Sequence, residues 1–529
     1  MKSTGCFEEV GVVVKKLSLK LAAASAVAGL LVLAGCKVDQ KKEVAQYRTL
    51  LDASSPGRPD YDGRRPLTLA EALATANADN ERLGISGEDY VQSLINKNRA
   101  LAGFLPTVSF QPSYTLQQTA RVGSANTTSA VSNPVGGGGT GTGNGTGSGV
   151  VTPVAASTSI PTFRPLTHEV SQSFQAPVVG GINLFRGGYD IANLKAAEAT
   201  ILQRRELLFD TQEAVLINVA QAYYAVLRAE QSADVLRQTL KLQEARLADV
   251  TTQFQNGLAI QLTVSQTRAQ VDQTRVDLVQ ADGDVRNGRS TLALLMGVPR
   301  VDGPLRDDFQ PPQLIESEQE LEAVALDHRR DLAAARDATE AARKIVDRSV
   351  AEYYPSVSLN VQGFLYREFY SDASKWNAIL SMNLPIFSAG LIEADVRQAW
   401  SQLRQAKLSE SYTQRQVLSD VQTAYENLQT ADRRVQELND EVAAADEAFR
   451  QAQSAFRNSL AVYLDVLTAQ DQLLSAQLQL TSAQFDRTVY YLDLLRQTGR
   501  MTVNEVIHRQ ATTTQPAAIP ASQPSVPTE

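Results

Sequence analysis

The sequence has little of what catalytic and metal-binding sites are usually built from. Its 529 residues include only 2 cysteines and 3 histidines, and aromatic residues make up 6%. The histidines His168, His328 and His508 lie far apart, and none belongs to a motif with the spacing of zinc ligands. No nucleophile–base motif and no phosphate loop is visible. We therefore expect a protein that is not an enzyme and that holds neither a metal nor a cofactor.

Positive charge is also scarce. Lys and Arg together number 50 against 58 Asp and Glu, which gives a formal net charge of −8. A protein whose main partner is a nucleic acid needs a basic surface to bind phosphates. The charge balance therefore argues against nucleic acid as a partner.

Long hydrophobic runs are nearly absent. The one apolar run, residues 21–33, follows three lysines and leads into a Leu-Ala-Gly-Cys tetrapeptide that ends at Cys36. This pattern predicts a secretory signal peptide over residues 1–35, and the run is short for a membrane-spanning helix. The alternative is a buried apolar helix with a chance cysteine. The tetrapeptide resembles the bacterial lipobox, which implies that Cys36 is lipidated; Lys37 at the next position implies the outer membrane.

The chain contains an internal duplication. Residues 219–223 match 421–425, and residues 254–259 match 456–461, both at an offset of 202. A constant offset predicts two ungapped copies of one structural unit. Further upstream, the matching segments lie 249 residues apart, and the extra residues of the first copy fall in a Gly-rich stretch that predicts a flexible loop over 120–165.

The duplication divides the chain into predicted segments. They are a signal peptide (1–35), a polar leader along the outside (36–66), repeat 1 (67–300), a linker (301–316), repeat 2 (317–500) and a disordered tail (501–529).

Each copy predicts one very long helix followed by a shorter return helix. Apolar residues repeat at alternating steps of three and four, which is typical of a coiled-coil seam. In the second copy the pattern runs from Leu391 to Arg457, a length of about 100 Å at 1.5 Å per residue. Asn256-Gly257 and Asn458-Ser459 then end the two helices and reverse the chain.

Four segments alternate between apolar and polar residues, as half-exposed strands do. They cover residues 107–116, 170–182, 357–362 and 376–384, and their polar sides carry Ser, Thr, Gln and Asn rather than charge. Such segments are long enough to cross a bilayer as tilted strands around a water-filled lumen; the alternative is an ordinary soluble sheet. Four strands cannot close a barrel, so we expect several chains to share one.

The combined pattern is similar to the TolC family of outer-membrane efflux proteins, and in particular to the lipoprotein branch that forms the exit ducts of tripartite pumps. Residues 458–470 resemble the family's G-x-x-x-Y-L-D-V-L-x-A-Q motif, with Ser459 where the family usually has Gly. The resemblance covers residues 67–499. It implies a mostly α-helical fold with a membrane β-barrel portion: a homotrimer with a twelve-stranded barrel, four strands from each chain, and an α-helical tunnel in the periplasm.

The resemblance also implies a function. The trimer would be a passive outer-membrane duct that receives solutes from a periplasmic adaptor and an inner-membrane pump. Two alternatives remain: the duct of a type I protein secretion system, or a structural coiled-coil lipoprotein that tethers the layers of the envelope.

Residue by residue, the resemblance assigns two sets of sites. It assigns the adaptor-contacting tips to Asn256, Gly257, Leu258, Asn458, Ser459 and Leu460, and the lining of the aperture to Asp465, Thr468 and Thr263. Some family members lock the aperture with a Tyr and an Arg, and these positions are Phe456 and Ala461 here. We therefore expect that this chain lacks the polar lock.

Overall fold

A computed structural model describes residues 40–53, 55, 61, 63–121, 167–312, 315–367, 375–458 and 460–507. The predicted signal peptide, Cys36, most of the Gly-rich loop and Ser459 lie outside the described residues. The chain divides into two units. We call residues up to 101, 188–352 and 387 onward the helical unit, and residues 102–187 and 353–386 the strand unit.

The helices and strands follow one another in the order that the duplication predicts. They are α1 (Gln40–Asp52), β1 (Leu67–Thr68), α2 (Leu69–Asp79), α3 (Glu81–Ala102), β2 (Thr107–Phe110), β3 (Ser113–Arg121), β4 (Thr167–Arg186), α4 (Tyr189–Gln255), α5 (Gln261–Met296), β5 (Leu305–Arg306), α6 (Glu318–His328), α7 (Arg330–Val350), β6 (Ser356–Arg367), β7 (Trp376–Asn383), α8 (Leu391–Arg457) and α9 (Tyr463–Gln497).

The structure confirms the duplication. The long helices α4 and α8 each have 67 residues, and both their first and last residues are 202 positions apart. Helices α2 and α6 repeat at the other predicted offset of 249, and each begins with a capping box in which a hydroxyl and a Glu three residues on exchange hydrogen bonds with the backbone. The offsets therefore apply to the backbone as well as to the sequence.

The core of the helical unit lies where both copies meet. Its largest apolar cluster includes Leu73, Leu216, Tyr223, Leu292 and Met296, all of them fully buried. Residues from each of the helices α1 to α9 contribute to this cluster. It supplies the apolar burial that holds the bases of two helical hairpins together.

One glycine fixes the base of each hairpin. Gly297 ends α5 in the left-handed conformation, and Gly499 follows α9 in the same conformation. A Cβ at Gly297 would lie 2.5 Å from the carbonyl oxygen of Asp79, and one at Gly499 would lie 2.7 Å from that of His328. Only glycine fits both the backbone angle and the close approach.

The predicted leader and linker are more structured than expected. Residues 36–66 were predicted as a polar leader along the outside, but α1 lies within them and buries Tyr47 and Leu51 in the main cluster. Tyr47 fills the space left by Gly87, where a Cβ would lie 2.4 Å from the ring. In the linker, β5 pairs in parallel with β1, and the Tyr223 hydroxyl donates to a carbonyl oxygen of that small sheet.

The disordered tail was predicted to begin at residue 501, but the folded part of the chain extends further. Residues 503–507 form a further helical turn, and Met501, Val503 and Val506 are buried in the main cluster. The expectation of a disordered tail from residue 501 is therefore wrong for residues 501–507. Three apolar side chains at this spacing reach the core, and the Pro-rich sequence that suggested a tail follows them.

The strand unit is an antiparallel sheet centred on the 20-residue β4. β2 and β3 pair with one side of β4, β6 pairs with its other side, and β7 pairs with β6. The first predicted strand is interrupted, because Pro112 has no N–H to continue the ladder. The backbone N–H of Gln111 still donates to the Pro177 carbonyl oxygen at 3.0 Å, so β2 and β3 follow one line along β4.

The sheet leaves its predicted apolar side exposed. Val108, Tyr114, Trp376, Leu380 and Met382 are all exposed within this chain. Among the described residues, none of the helices is both long enough and apolar enough to cross a membrane.

Candidate functional site: the two hairpin tips

The first tip joins α4 to α5. Asn256 caps the end of α4, and Gly257 follows in the left-handed conformation with φ of 71°. The N–H of Leu258 then donates to the carbonyl oxygen of Gln253 at 2.8 Å, which closes the helix with a Schellman-type bond. This turn leaves the Leu258 side chain 79% exposed.

The second tip joins α8 to α9 in the same way. The N–H of Leu460 donates to the carbonyl oxygen of Ala455 at 2.8 Å, and the Asn458 side chain donates to the Ser454 carbonyl oxygen at 3.0 Å. Leu460 is 82% exposed. The two tips thus present a leucine at equivalent positions, and the rest of the described residues leave both leucines largely exposed.

Further apolar residues surround these two leucines. The exposed members are Phe254, Ile260 and Leu262 near the first tip and Val462 and Leu464 near the second. Exposed apolar groups concentrated in one region mark a contact surface, because burying them against a partner is favourable. We call these residues, with Leu258 and Leu460, the tip surface.

An apolar cluster beneath the tip surface joins the two hairpins. Val250 of α4, Tyr463 and Leu467 are buried, and Val264 of α5 and Phe456 of α8 pack against them. The rings of Phe456 and Tyr463 meet edge to face, with centroids 5.4 Å apart. All four long helices therefore contribute to one contact.

A hydrogen bond between two buried hydroxyls lies in this cluster. Thr267 of α5, 2% exposed, has its Oγ1 2.9 Å from the hydroxyl of Tyr463 on α9. Thr267 donates its only hydroxyl proton to the carbonyl oxygen of Thr263 at 2.8 Å, so Tyr463 is the donor to Thr267. The two positions of the family's polar lock, Phe456 and Ala461, carry no polar side chain. A different polar contact, between Tyr463 and Thr267, joins the two hairpins near their tips.

Sequence reasoning missed this contact. Tyr463 stood within the motif on which the resemblance rests, and its hydroxyl was a signal that a polar partner lies nearby. The partner could not be found from the sequence, because Thr267 lies 196 residues away on another hairpin.

The predicted aperture residues have local roles in the structure. Asp465 is exposed, and its carboxylate accepts a hydrogen bond from the backbone N–H of Val462 at 3.1 Å, so it caps the start of α9. Thr468 is exposed and donates to the Leu464 carbonyl oxygen. Thr263 is half-buried and occupies the position in the first copy that Asp465 has in the second.

Asp465 and Thr263 do not meet through their side chains in any described contact. Asp465 also forms no ion pair with Arg457 or Arg268 in the part of the chain that the structure describes. Its role within a single chain is to cap α9, and the aperture role stays a prediction.

A buried charge cluster lies towards the base of the hairpins. The Arg496 guanidinium on α9 contacts Asp210 and lies 3.3 Å from Glu213, both on α4. Burial raises the pKa of the Glu213 carboxyl group to about 7, although Arg496 and Arg330 oppose this rise and Asp210 and Asp331 add to it. No described group of His, Cys, Asp and Glu is arranged to hold a metal ion.

The sequence that forms these hairpins and strands matches a known family. The family model "Outer membrane efflux protein" matches residues 96–298 and 322–500. This is well over half of the chain, and the chain belongs to that family.

Two curated relatives are similar to part of this chain. The probable outer membrane lipoprotein SilC of Salmonella typhimurium is 27% identical over 220 residues, which cover 40% of this chain and 46% of SilC. The cation efflux system protein CusC of Escherichia coli (strain K12) is 27% identical over 207 residues, 37% of this chain and 44% of CusC. The chain thus matches less than half the length of either protein.

The fold is shared with a solved outer membrane protein. VceC of Vibrio cholerae superposes with a TM-score of 0.65 over 82% of this chain and 96% of VceC, at 19% identity. At this identity the likeness establishes the fold alone.

Proposed function

We propose that this protein is the outer-membrane exit duct of a tripartite efflux pump. The observation that carries the proposal is the tip surface. Two hairpins built on 67-residue helices end in a joined pair of turns, and the leucines of these turns are largely exposed among the residues that the structure describes. A duct that receives its cargo from another protein needs a docking surface, and the tip surface can serve as one. Membership of the efflux family supports this interpretation.

The strand unit supports a homotrimeric membrane barrel. Its edge strands β2, β3 and β7 have no second partner strand among the described residues. An open sheet edge is not tolerated in lipid. Three copies, each giving the equivalent of four strands, would close a barrel of twelve, with the apolar side chains of the sheet facing the lipid of the outer membrane.

The partners follow from this arrangement. A periplasmic adaptor would bind the tip surface, and an inner-membrane pump would supply energy and select the substrate. The duct itself would be passive and would need no catalytic residue. A coiled-coil tether between envelope layers would not need a sheet with an exposed apolar side, which disfavours that alternative.

A lipid on Cys36 would provide a second attachment to the outer membrane. Acyl chains contribute about 0.8 kcal/mol per buried CH₂ group. The cysteine precedes α1 by only three residues, so the lipid would be tethered close to a helix that packs into the main cluster.

Charge substitutions at the tips test the proposed docking. We expect Leu258→Asp and Leu460→Asp to abolish efflux, because a carboxylate in a docked apolar surface loses its hydration. Folding should be unchanged, since both side chains are exposed in the free chain. Growth at graded concentrations of exported compounds measures efflux, and the amount of trimer in outer membranes measures assembly.

Ile315→Asp is the matched control. Ile315 is 94% exposed but lies in the segment between the two repeats, away from the tips. Full resistance in both tip variants, or an equal loss of resistance in the control, would show that the tips are not part of the adaptor interface.

A further inference from the structure

The boundary between the two repeats of one chain is charged near the base of the hairpins. Arg496 of α9 contacts Asp210 of α4 and lies 3.3 Å from Glu213, and Arg330 of α7 pairs with Glu206 of α4 at 3.0 Å. Glu206 and Glu213 are only 5% and 4% exposed. The base charge cluster, as we call it, consists of Glu206, Asp210, Glu213, Arg330, Asp331 and Arg496.

The duplication shows what would occupy the same places between two chains. In the proposed trimer the two repeats alternate around one axis, so half of the boundaries lie within a chain and half lie between chains. A rotation that carries repeat 1 onto repeat 2 carries one kind of boundary onto the other. The offset is 202 from α4 to α8 and from α5 to α9, and it is 249 from α3 to α7.

Three of the six charges have apolar counterparts. Arg496 corresponds to Leu294, Asp210 to Tyr412 and Glu206 to Leu408. The contact between Arg496 and Asp210 therefore corresponds to a contact between Leu294 of one chain and Tyr412 of the next. Within the single chain the three apolar side chains are exposed: Leu294 is 74%, Leu408 72% and Tyr412 63% exposed. One boundary thus buries charge while its counterpart exposes large apolar groups, which a covering neighbour would explain.

The other three charges change sign. Glu213 corresponds to Arg415, Arg330 to Glu81 and Asp331 to Arg82. Arg415 and Glu81 are exposed, and neither forms an ion pair among the described residues. Because both signs are reversed, the attraction between Arg330 and Glu213 within a chain corresponds to an attraction between Glu81 and Arg415 across two chains.

A fourth exposed apolar residue belongs to the same surface. Ala334 of α7 is 3% exposed, and its counterpart Ile85 of α3 is 67% exposed. The position that a small side chain fills inside one chain therefore carries a large apolar side chain at the boundary between chains.

We propose that Ile85 and Leu294 of one chain pack against Leu408 and Tyr412 of a second copy of the chain. This inference rests on the proposed trimeric duct. Near the base, neighbouring chains are then joined by apolar contact at the place where each chain joins its own repeats by buried charge.

The difference between the two boundaries also selects the order of the repeats. Two adjacent copies of repeat 1 would set Leu294 against Asp210, and two adjacent copies of repeat 2 would set Arg496 against Tyr412. Either arrangement leaves a charge facing an apolar group, which is unfavourable. Only alternating repeats satisfy both boundaries.

Copying the charged pair to the boundary between chains tests the inference in the full-length protein. Leu294→Arg and Tyr412→Asp reproduce Arg496 and Asp210 at the equivalent positions. Each substitution alone should weaken association about tenfold at each boundary, because it sets an unpaired charge against apolar groups. The double variant should regain much of the lost association. Native mass spectrometry in mild detergent, over a series of protein dilutions, measures the fraction of trimer.

Leu242→Arg is the matched control. Leu242 of α4 is 50% exposed, and its counterpart Ala444 is exposed as well, so the position belongs to neither boundary. The control should form as much trimer as wild type. Circular dichroism shows whether each variant keeps its helices, which we expect because Leu294 and Tyr412 are exposed in the single chain.

Two results would overturn the inference. One is a trimer as stable as wild type in both single variants, which would show that a second copy does not cover these residues. The other is a double variant no more stable than the weaker single variant, because the two positions would then not meet. In both cases a trimeric wild type that supports efflux would leave the proposed function standing. A wild-type protein that is monomeric in outer membranes would instead refute the proposed trimer and this interface with it.

Discussion

The base and the tip of each hairpin use glycine for different purposes. Gly297 at the base and Gly257 at the tip have the same φ of 71°. A Cβ at Gly297 would collide with the backbone of Asp79, whereas one at Gly257 would meet nothing within 4 Å. The base is shaped by packing inside the chain, and the tip only reverses the chain and leaves its surroundings open. Open surroundings at a structured turn are what a docking surface needs.

The largest effect on stability is expected when these two glycines are each replaced by alanine. Alanine in the left-handed conformation costs about 1–2 kcal/mol at either position. Gly297→Ala adds an overpacking cost of roughly 1–3 kcal/mol, because the neighbouring atoms are backbone and cannot turn aside. We expect a clear fall in the thermal midpoint of the purified protein for Gly297→Ala and a smaller one for Gly257→Ala. Equal falls would mean that the base is no more tightly packed than the tip.

A second effect concerns the buried charge at the base. Because the pKa of Glu213 is raised from 4.5 to about 7, the folded protein binds its proton more tightly than the unfolded chain does. The resulting stabilisation is present below pH 4.5 and is lost as the pH rises to about 7. It is on the order of 3 kcal/mol. Glu213→Gln keeps an acceptor for Arg496 without the titration, so it should raise the thermal midpoint at pH 8 relative to wild type.

Glu244→Gln controls for the loss of a carboxylate. Glu244 lies on the same helix and pairs with Arg275 at 2.8 Å, but this pair is exposed. The difference between each variant and wild type is measured from pH 4.5 to 8. A difference for Glu213→Gln that does not change with pH, or that matches the control, would contradict the burial argument.

The smallest expected effect concerns Asp465 at the tip. Asp465→Ala removes the cap of α9 and should cost about 1 kcal/mol, whereas Asp465→Asn keeps an acceptor oxygen and should cost less. If three carboxylates also line an aperture, both variants should lose block by multivalent cations in planar bilayers. Thr263→Ala, at the equivalent position of the first tip, should change neither property. Unchanged block in both Asp465 variants would leave this residue as a helix cap only.

The sequence predicted the architecture well, because the architecture depends on repeated patterns. The offset of 202 and the start and end of α8 follow from apolar spacing and from the residues that break helices. The break at Pro112 was also visible in principle, since proline cannot donate in a ladder. The capping role of Asp465 had a signal too, because it stands at the third position of α9, where acidic residues cap.

Contacts between distant segments could not be predicted. Tyr47 and Leu51 of α1 looked like members of a polar leader, because their partners are residues of α2, α3 and α4 far along the chain. Glu213 gave no signal, because its pKa depends on burial and on Arg496, 283 residues away. A sequence pattern gives the face of a helix, but it does not give the neighbour that covers that face.

One turn of the backbone bears on the ancestry of the molecule. Before α4, Gly187 adopts φ of 62°, and at the equivalent place before α8 the residue is Ala389, with φ of 51°. Alanine pays a steric cost there that glycine avoids. The two copies therefore share a local conformation that no longer requires a shared residue. In this turn the shape of the chain, rather than its chemistry, is the trait that both halves inherited from the gene that was duplicated.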